Sequence, residues 1–252
     1  MSSKLKSVVV IPARYKSSRF EGKPLAKILG KSMIQRVCEL CNDAFDREDI
    51  YVATDDIRIK TAVEEAGFKV VMTSNRHLTG TDRIAEASMS IDADIFINVQ
   101  GDEPIVDPMD ITRILEQKIK FPNSVIKGFS KITSDEDPNN LNLVKVVFTE
   151  DKRMIYMSRS LLPGVKNIDL DNMDYYKAVC IYAFNKHELQ AYANFGRKSD
   201  LEFVEDIEIL RFLELGIDVR LVETSSASLA VDEPDDIQKV ENFITKNQKY
   251  RR

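Results

Sequence analysis

Apolar positions along the chain fall into two rhythms. Short unbroken runs, SVVVIPA (7–13), IYVAT (50–54), KVVMTS (69–74) and DIFINV (94–99), have the length and β-branched content of strands buried on both faces. Between them, apolar residues recur at helical spacing in SMIQRVCELC (32–41), in RIKTAVEEAG (58–67) and around DRIAEASMSI (82–91). The alternation predicts a largely parallel sheet flanked by helices. Ser32 with Gln35 three residues on reads as a capping box, and Gly67 stands where a C-terminal cap belongs. DPMDITRILEQKI (107–119) opens with an aspartate cap and a proline in the first turn.

Beyond about residue 120 the rhythm loosens. NSVIKGFSKI (123–132), LVKVVFTED (143–151), MIYMSRS (154–160) and YYKAVCIYAF (175–184) are predicted strands of a mixed or antiparallel portion. A helical pattern returns over DLEFVEDIEILRFLELG (200–216), followed by a strand in DVRLVET (218–224) and a terminal helix opened by DEPDD (232–236). The polar stretch PGVKNIDLDNMD (163–174) is expected to be a long mobile loop. With no repeat or low-complexity tract, residues 1–252 are expected to form one α/β domain.

Composition narrows the function. A formal charge of -5 disfavours nucleic acid and anionic membranes as partners, so any cationic cluster must be a local device. No window approaches the roughly 20 apolar residues of a membrane span, and the opening run is too short for a signal peptide. A cytoplasmic protein is expected. Cys38, Cys41 and Cys180 have no framework spacing, and the C-x-x-C pair lies inside a helical pattern, where packed thiols are the plain reading.

In an open parallel sheet, ligands bind outside the carboxyl ends of the strands, so segments that directly follow strands are the places to look. IPARYKSSRFEGKPL (11–25) gathers Arg14, Lys16, Arg19 and Lys23 against only Glu21. Such a loop suits a polyphosphate, each charged hydrogen bond contributing roughly 1.5–3 kcal/mol, although a cationic loop can also be merely solvated. NVQGDEP (98–104) ends a strand in Gly101, Asp102 and Glu103, hard oxygen donors of the kind Mg²⁺ takes, or else a cap or turn. AVDEPDD (230–236) offers Asp232, either as a charge at a helix N-terminus or as a second metal carboxylate. There is no Ser-His-Asp or Cys-His arrangement, and the loop lacks P-loop spacing. The combination points to phosphate chemistry in which the substrate supplies the attacking oxygen. His77 and His187 are then not required and read as surface or packing residues.

The same strings, with ATDD, MTS, TGTDR, VKVV, the MSR of YMSRS, IYAF, LEFVEDIEILR and VDEPDD, resemble in order the CMP-Kdo synthetases, the 3-deoxy-manno-octulosonate cytidylyltransferases. The resemblance spans roughly residues 7–245. It implies a three-layer α/β/α fold of the GT-A-like nucleotide-diphospho-sugar transferase kind, and a homodimer with a dimerisation and sugar-binding portion near residues 150–184. The implied activity is transfer of CMP from CTP to the anomeric hydroxyl of a 2-keto-3-deoxy sugar acid, with release of pyrophosphate. Carried over by motif, Arg14 and Lys23, with Arg19 beside them, hold the triphosphate; Asp102 and Asp232 hold Mg²⁺; and Arg83 and Gln100 seat the cytidine. Arg159, Lys177, Tyr182 and Glu208 match the sugar-acid residues.

The sugar half departs from the pattern. Members of that family read Lys-His-x-Gly-Ile-Tyr where this chain has Ala178 in place of the histidine and Cys180 in place of the glycine, and Leu-Glu-Gln-Leu-Arg where it has Ile209 in place of the glutamine. Leaving a sugar hydroxyl unpaired forfeits roughly 1–3 kcal/mol per group, so the expected acceptor is a relative of Kdo with an apolar, amino or N-acyl substituent. The alternatives are unmodified Kdo with neighbours or water replacing the contacts, another sugar nucleotidyltransferase or GT-A-type glycosyltransferase, and a nucleotide-binding protein without turnover.

Overall fold

The computed structural model describes residues 5–166, 173–225 and 229–250. The expected loop at 163–174 therefore lies in part, at 167–172, outside the described residues. The first strand, β1 (Ser7–Ala13), is buried along almost its whole length and pairs in parallel with β4 (Ile50–Thr54) on one side and β6 (Ile95–Val99) on the other. Strand β5 (Lys69–Met72) extends the parallel set beyond β4. A two-residue pair, β2 (Lys27–Ile28) with β3 (Lys31–Ser32), stands apart from the main sheet.

Beyond β6 the direction changes. Strand β10 (Tyr176–Asn185) runs antiparallel both to β6 and to β7 (Val125–Lys131), and β7 then pairs in parallel with β11 (Val219–Glu223). Only Ile181–Asn185 of β10 face β6, so its first residues overhang the carboxyl end of that strand. There a hairpin of β8 (Lys145–Phe148) and β9 (Met154–Ser158) joins through the Lys177 and Lys145 pairing. The sheet order is β11-β7-β10-β6-β1-β4-β5, as expected for a mostly parallel mixed sheet.

Alternation along β1 divides the core. Val9 and Ile11 join a cluster with α1 (Met33–Cys41), α2 (Ile57–Glu65), α4 (Pro108–Lys120) and α8 (Asp236–Lys246). Val8 and Val10 join a cluster on the other face with α3 (Gly80–Ser90), α5 (Lys186–Asn194) and α7 (Leu210–Glu214). The result is a three-layer α/β/α arrangement. Gly67, at φ 80°, ends α2 in a Schellman motif, with Phe68 N donating to Val63 O at 3.1 Å and Gly67 N to Glu64 O at 2.9 Å.

Two local expectations are corrected, and one helix was not anticipated. Ser32 stands at the N-cap of α1 without a side-chain cap bond, and the Gln35 amide donates to Glu39 at 2.9 Å. The helical pattern over 200–216 is two helices, α6 (Asp200–Glu205) and α7, broken at Asp206, whose φ of 51° is left-handed. Helix α5 was hidden behind the strand pattern, although Asn185 and Glu188 form a capping box at its start.

Candidate active site

The chain order of the strands reverses at β1: β4 and β5 follow on one side, and β6 comes back on the other. A cleft of about 210 Å³ opens there, outside the carboxyl ends of β1 and β6. Its lining includes Arg14, Arg19 and Lys23 from the loop after β1, Gln100, Gly101 and Asp102 from the loop after β6, Gly80 and Arg83 of α3, and Asp232.

Each lip is shaped by its sequence. Gly22, at φ 71°, donates to Tyr15 O at 2.8 Å and turns the loop back, and a Cβ there would press within 3.1 Å of the Tyr15 ring. The Arg58 guanidinium covers that ring at 3.3 Å. The turn delivers Lys23 to the acids: its Nζ lies 2.7 Å from Asp102 Oδ2, 3.9 Å from Asp232 Oδ1 and 2.8 Å from Val231 O. Arg19 Nη2 pairs with Asp232 Oδ1 at 3.0 Å. Gly101 lets the backbones of β1 and β6 converge, since a Cβ would sit 3.0 Å from Pro12 O.

The two aspartates come from segments 130 residues apart, tied together by Val231 N donating to Asp102 O at 3.0 Å. Neither is a helix cap. Asp107 Oδ1 caps α4 by accepting from Met109 N at 3.0 Å, and Asp236 Oδ2 accepts from the backbone N–H groups of Asp232 and Glu233, each at 3.0 Å. Both carboxylates are partly exposed in the cleft, and no cluster of three or more His, Cys, Asp or Glu suited to a metal occurs among the described residues. Two hard oxygen donors facing a cationic loop fit Mg²⁺, which takes one or two carboxylates and completes its shell with phosphate oxygens and water.

The third wall is the N-terminus of α3. Thr79 and Asp82 form a capping box, a T-x-x-D signal readable in the sequence. Gly80 allows Gln100 close, with Nε2 only 3.3 Å from where a Cβ would stand. Arg83 is buried, donating to Thr73 Oγ1 at 2.6 Å and pairing with Asp55 at 3.3 Å. His77, expected to be incidental, lines this cleft, with Nε2 bonded to Glu86 Oε2, which also accepts from Ser74 N at 2.8 Å.

Arg211, which the sequence did not single out, locks the wall in place. Its buried guanidinium donates to Glu202 Oε2 at 2.6 Å and Oε1 at 2.8 Å and to Asp82 Oδ1 at 2.9 Å, and it lies 3.7 Å over the Tyr192 ring. The LEFVEDIEILR segment thus holds the capping aspartate of α3 from behind.

The residues matched to the sugar acid lie outside the cleft lining. Arg159 Nε donates to Glu205 O at 2.7 Å and Nη2 to Asp206 O at 3.1 Å, satisfying carbonyls at the end of α6. Lys177 is ion-paired with Glu136. Tyr182 is buried and stacked on Phe184, ring centroids 5.9 Å apart. Glu208, partly exposed, comes nearest the cleft: its Oε2 accepts from Thr81 N at 3.1 Å, one residue past Gly80. Burial pushes the Glu208 carboxyl above the ordinary glutamate value, opposed by the Thr81 N–H and by the charge of Lys127. Ile209 is 1% exposed in the core, and Ala178 packs against the same cluster.

The cytidylyltransferase family model matches residues 8–220. The chain is 41% identical, over 97% of its length and 100% of the relative's, to a protein of Geobacter metallireducens named 3-deoxy-manno-octulosonate cytidylyltransferase. It is 42% identical, over 94% of its length and 98% of the relative's, to one of Shewanella frigidimarina named 8-amino-3,8-dideoxy-manno-octulosonate cytidylyltransferase. A solved structure of CMP:2-keto-3-deoxy-manno-octonic acid synthetase complexed with CTP matches with a TM-score of 0.88 at 39% identity, covering 96% of this chain and 99% of that one. The chain belongs to the cytidylyltransferases, in the family of the CMP-Kdo synthetases.

Proposed function

We propose that this protein transfers CMP from CTP to the anomeric hydroxyl of a 2-keto-3-deoxy sugar acid. The hydroxyl oxygen forms a bond to the α-phosphorus, the bond from that phosphorus to the α–β bridging oxygen breaks, pyrophosphate leaves and the hydroxyl proton passes to solvent. The observation that carries the reading is the convergence of Arg14, Arg19 and Lys23 with Asp102 and Asp232 in one cleft at the switch point of the sheet. The similarity to a synthetase solved with CTP supports it.

Arg14, Arg19 and Lys23 bind the triphosphate, and the rigid turn at Gly22 holds the lysine where the chain's acids converge. Asp102 and Asp232 hold Mg²⁺, which when bound neutralises charge on the phosphates. Gln100 and Arg83, set by Gly80 and by Thr73 with Asp55, seat the cytidine. Arg159, Lys177, Tyr182 and Glu208 form the sugar-acid side. With Ala178 and Ile209 apolar there, the acceptor carries an apolar, amino or N-acyl group where Kdo has a hydroxyl. The amino-sugar name of a relative at 42% identity supports this class.

The protein acts as a homodimer. Ile155 of β9 and Phe203 and Val204 of α6 are 56%, 73% and 80% exposed, on elements linked by Ser158 Oγ donating to Glu205 at 2.7 Å, an apolar surface suited to a second copy. Pyrophosphate release from CTP, UTP and dTTP with a panel of 2-keto-3-deoxy acids and Mg²⁺ tests the activity. Release with CTP and a substituted acid is expected; a clear preference for unmodified Kdo removes the acceptor assignment, and release only with UTP or dTTP removes the cytidylyl assignment.

A further inference from the structure

Lys127 sits in the middle of β7 and is 2% exposed. Strand register places it opposite Tyr182 of β10, which in turn stands opposite Asn98 of β6. Val125, Phe129, Tyr182 and Phe184 all belong to the cluster on one face of the sheet, so the three polar side chains form a row on the face that carries Glu208 and Ala178. The ammonium lies 3.9 Å from the Tyr182 ring centroid and donates to Val179 O at 3.2 Å. Among the described residues it makes no ion pair within 4.0 Å, and Val179 O is its one oxygen partner within hydrogen-bond reach. Asn98 is fully buried, and both its side-chain polar atoms lack a partner.

Buried polar groups short of partners are costly, and here Lys127 of β7 and Asn98 of β6 share the shortfall around Tyr182. Burial first of all lowers the pKa of Lys127, while Cys180, Glu208 and Glu103 act to keep it charged. An ammonium donates and cannot accept, so the group that completes it must be an acceptor, which on a sugar acid is an oxygen.

We propose that Lys127 is a specificity-determining residue that donates to an oxygen of the sugar acid from the floor of the acceptor side, with Asn98 supporting the same substrate edge. The assignment rests on the cytidylyltransfer reading above. The competing role is structural: Lys127 reaches Val179 O where the β7 and β10 register shifts, and on that account it only staples an irregular ladder.

Steady-state pyrophosphate release separates the two. The wild-type protein is assayed with CTP, Mg²⁺ and its best sugar acid, beside Lys127→Met and Lys127→Gln, with thermal unfolding of each. K127M is expected to raise KM for the acid by on the order of tenfold to a hundredfold and to leave KM for CTP within about twofold, with K127Q, which keeps a donor, in between. Unchanged KM for the acid in a folded K127M, whatever its melting temperature, overturns the proposal and leaves the staple. Should K127M fail to fold, K127Q decides alone: a rise of about threefold or more in acid KM supports the contact, and none overturns it. A wild-type protein that releases no pyrophosphate with any acid overturns the cytidylyltransfer reading and this assignment together, whereas normal turnover with an indifferent K127M removes only the latter.

Discussion

Lys23 Nζ lies 2.7 Å from Asp102 Oδ2, an ion pair that spans 79 residues and bridges the loops after β1 and β6. Because both side chains are partly exposed, the pair itself contributes no more than about 1 kcal/mol to stability. Asp102→Ala is expected to lower kcat/KM by on the order of 10²-fold or more, through lost transition-state charge stabilisation. Its melting temperature should change by no more than about 4 °C. Activity assays beside a thermal melt check both, and undiminished turnover would remove Asp102 from the proposed Mg²⁺ site.

Arg211 and Glu202 present the opposite case, an ion pair buried on both sides. Arg211→Met leaves Glu202 and Asp82 without their cation and should cost about 3–5 kcal/mol, measured by urea denaturation. A loss below about 1 kcal/mol would mean that the α3 wall stands without this support.

The raised carboxyl of Glu208 fixes the sign of a pH effect. Its folded-state value lies above the ordinary 4.5, so folding favours the protonated form. That stability is fully present below 4.5 and is lost as pH rises through the folded value. Glu208→Gln should remove this part of the pH dependence, read as the difference between wild-type and variant unfolding free energies from about pH 4 to 7. A difference that does not vary with pH would show that Glu208 titrates normally.

Glu86 holds the ring of His77 against the cleft while accepting from Ser74 N. Glu86→Gln weakens both bonds and should raise KM for CTP by about two- to tenfold, with little change in kcat at saturation. An unchanged KM for CTP would return His77 to the role of bystander.

Much of this was legible from residue order alone, for local reasons. The strands announced themselves because β1, β4 and β6 are covered on both faces and so read as unbroken apolar runs. Arg14 and Asp232 could be singled out because each directly follows an apolar run, Asp102 because it stands three residues past one, and Lys23 because it belongs to the cationic loop that opens after the first strand. What stayed hidden depends on partners remote in sequence. Arg211 meets Asp82 across 129 residues, and nothing in LEFVEDIEILR names that partner. Lys127 in VIKGFSK looks like an ordinary polar strand position until β10 and β11 flank it in the middle of the sheet. The break between α6 and α7 turns on the left-handed Asp206, a conformation that helix propensity does not disclose.

Strand β10, reversed against its neighbours and overhanging β6, has an evolutionary consequence. Its overhanging residues, among them Lys177, Ala178 and Cys180, lie outside the cleft lined by the loops after β1 and β6, where the triphosphate is proposed to bind. Mutations along that overhang can retune which acid is taken while the machinery that grips CTP stays as it was. On the proposed assignment, one reversed strand thereby sets the acceptor side apart from the donor side, so that each can be altered by itself.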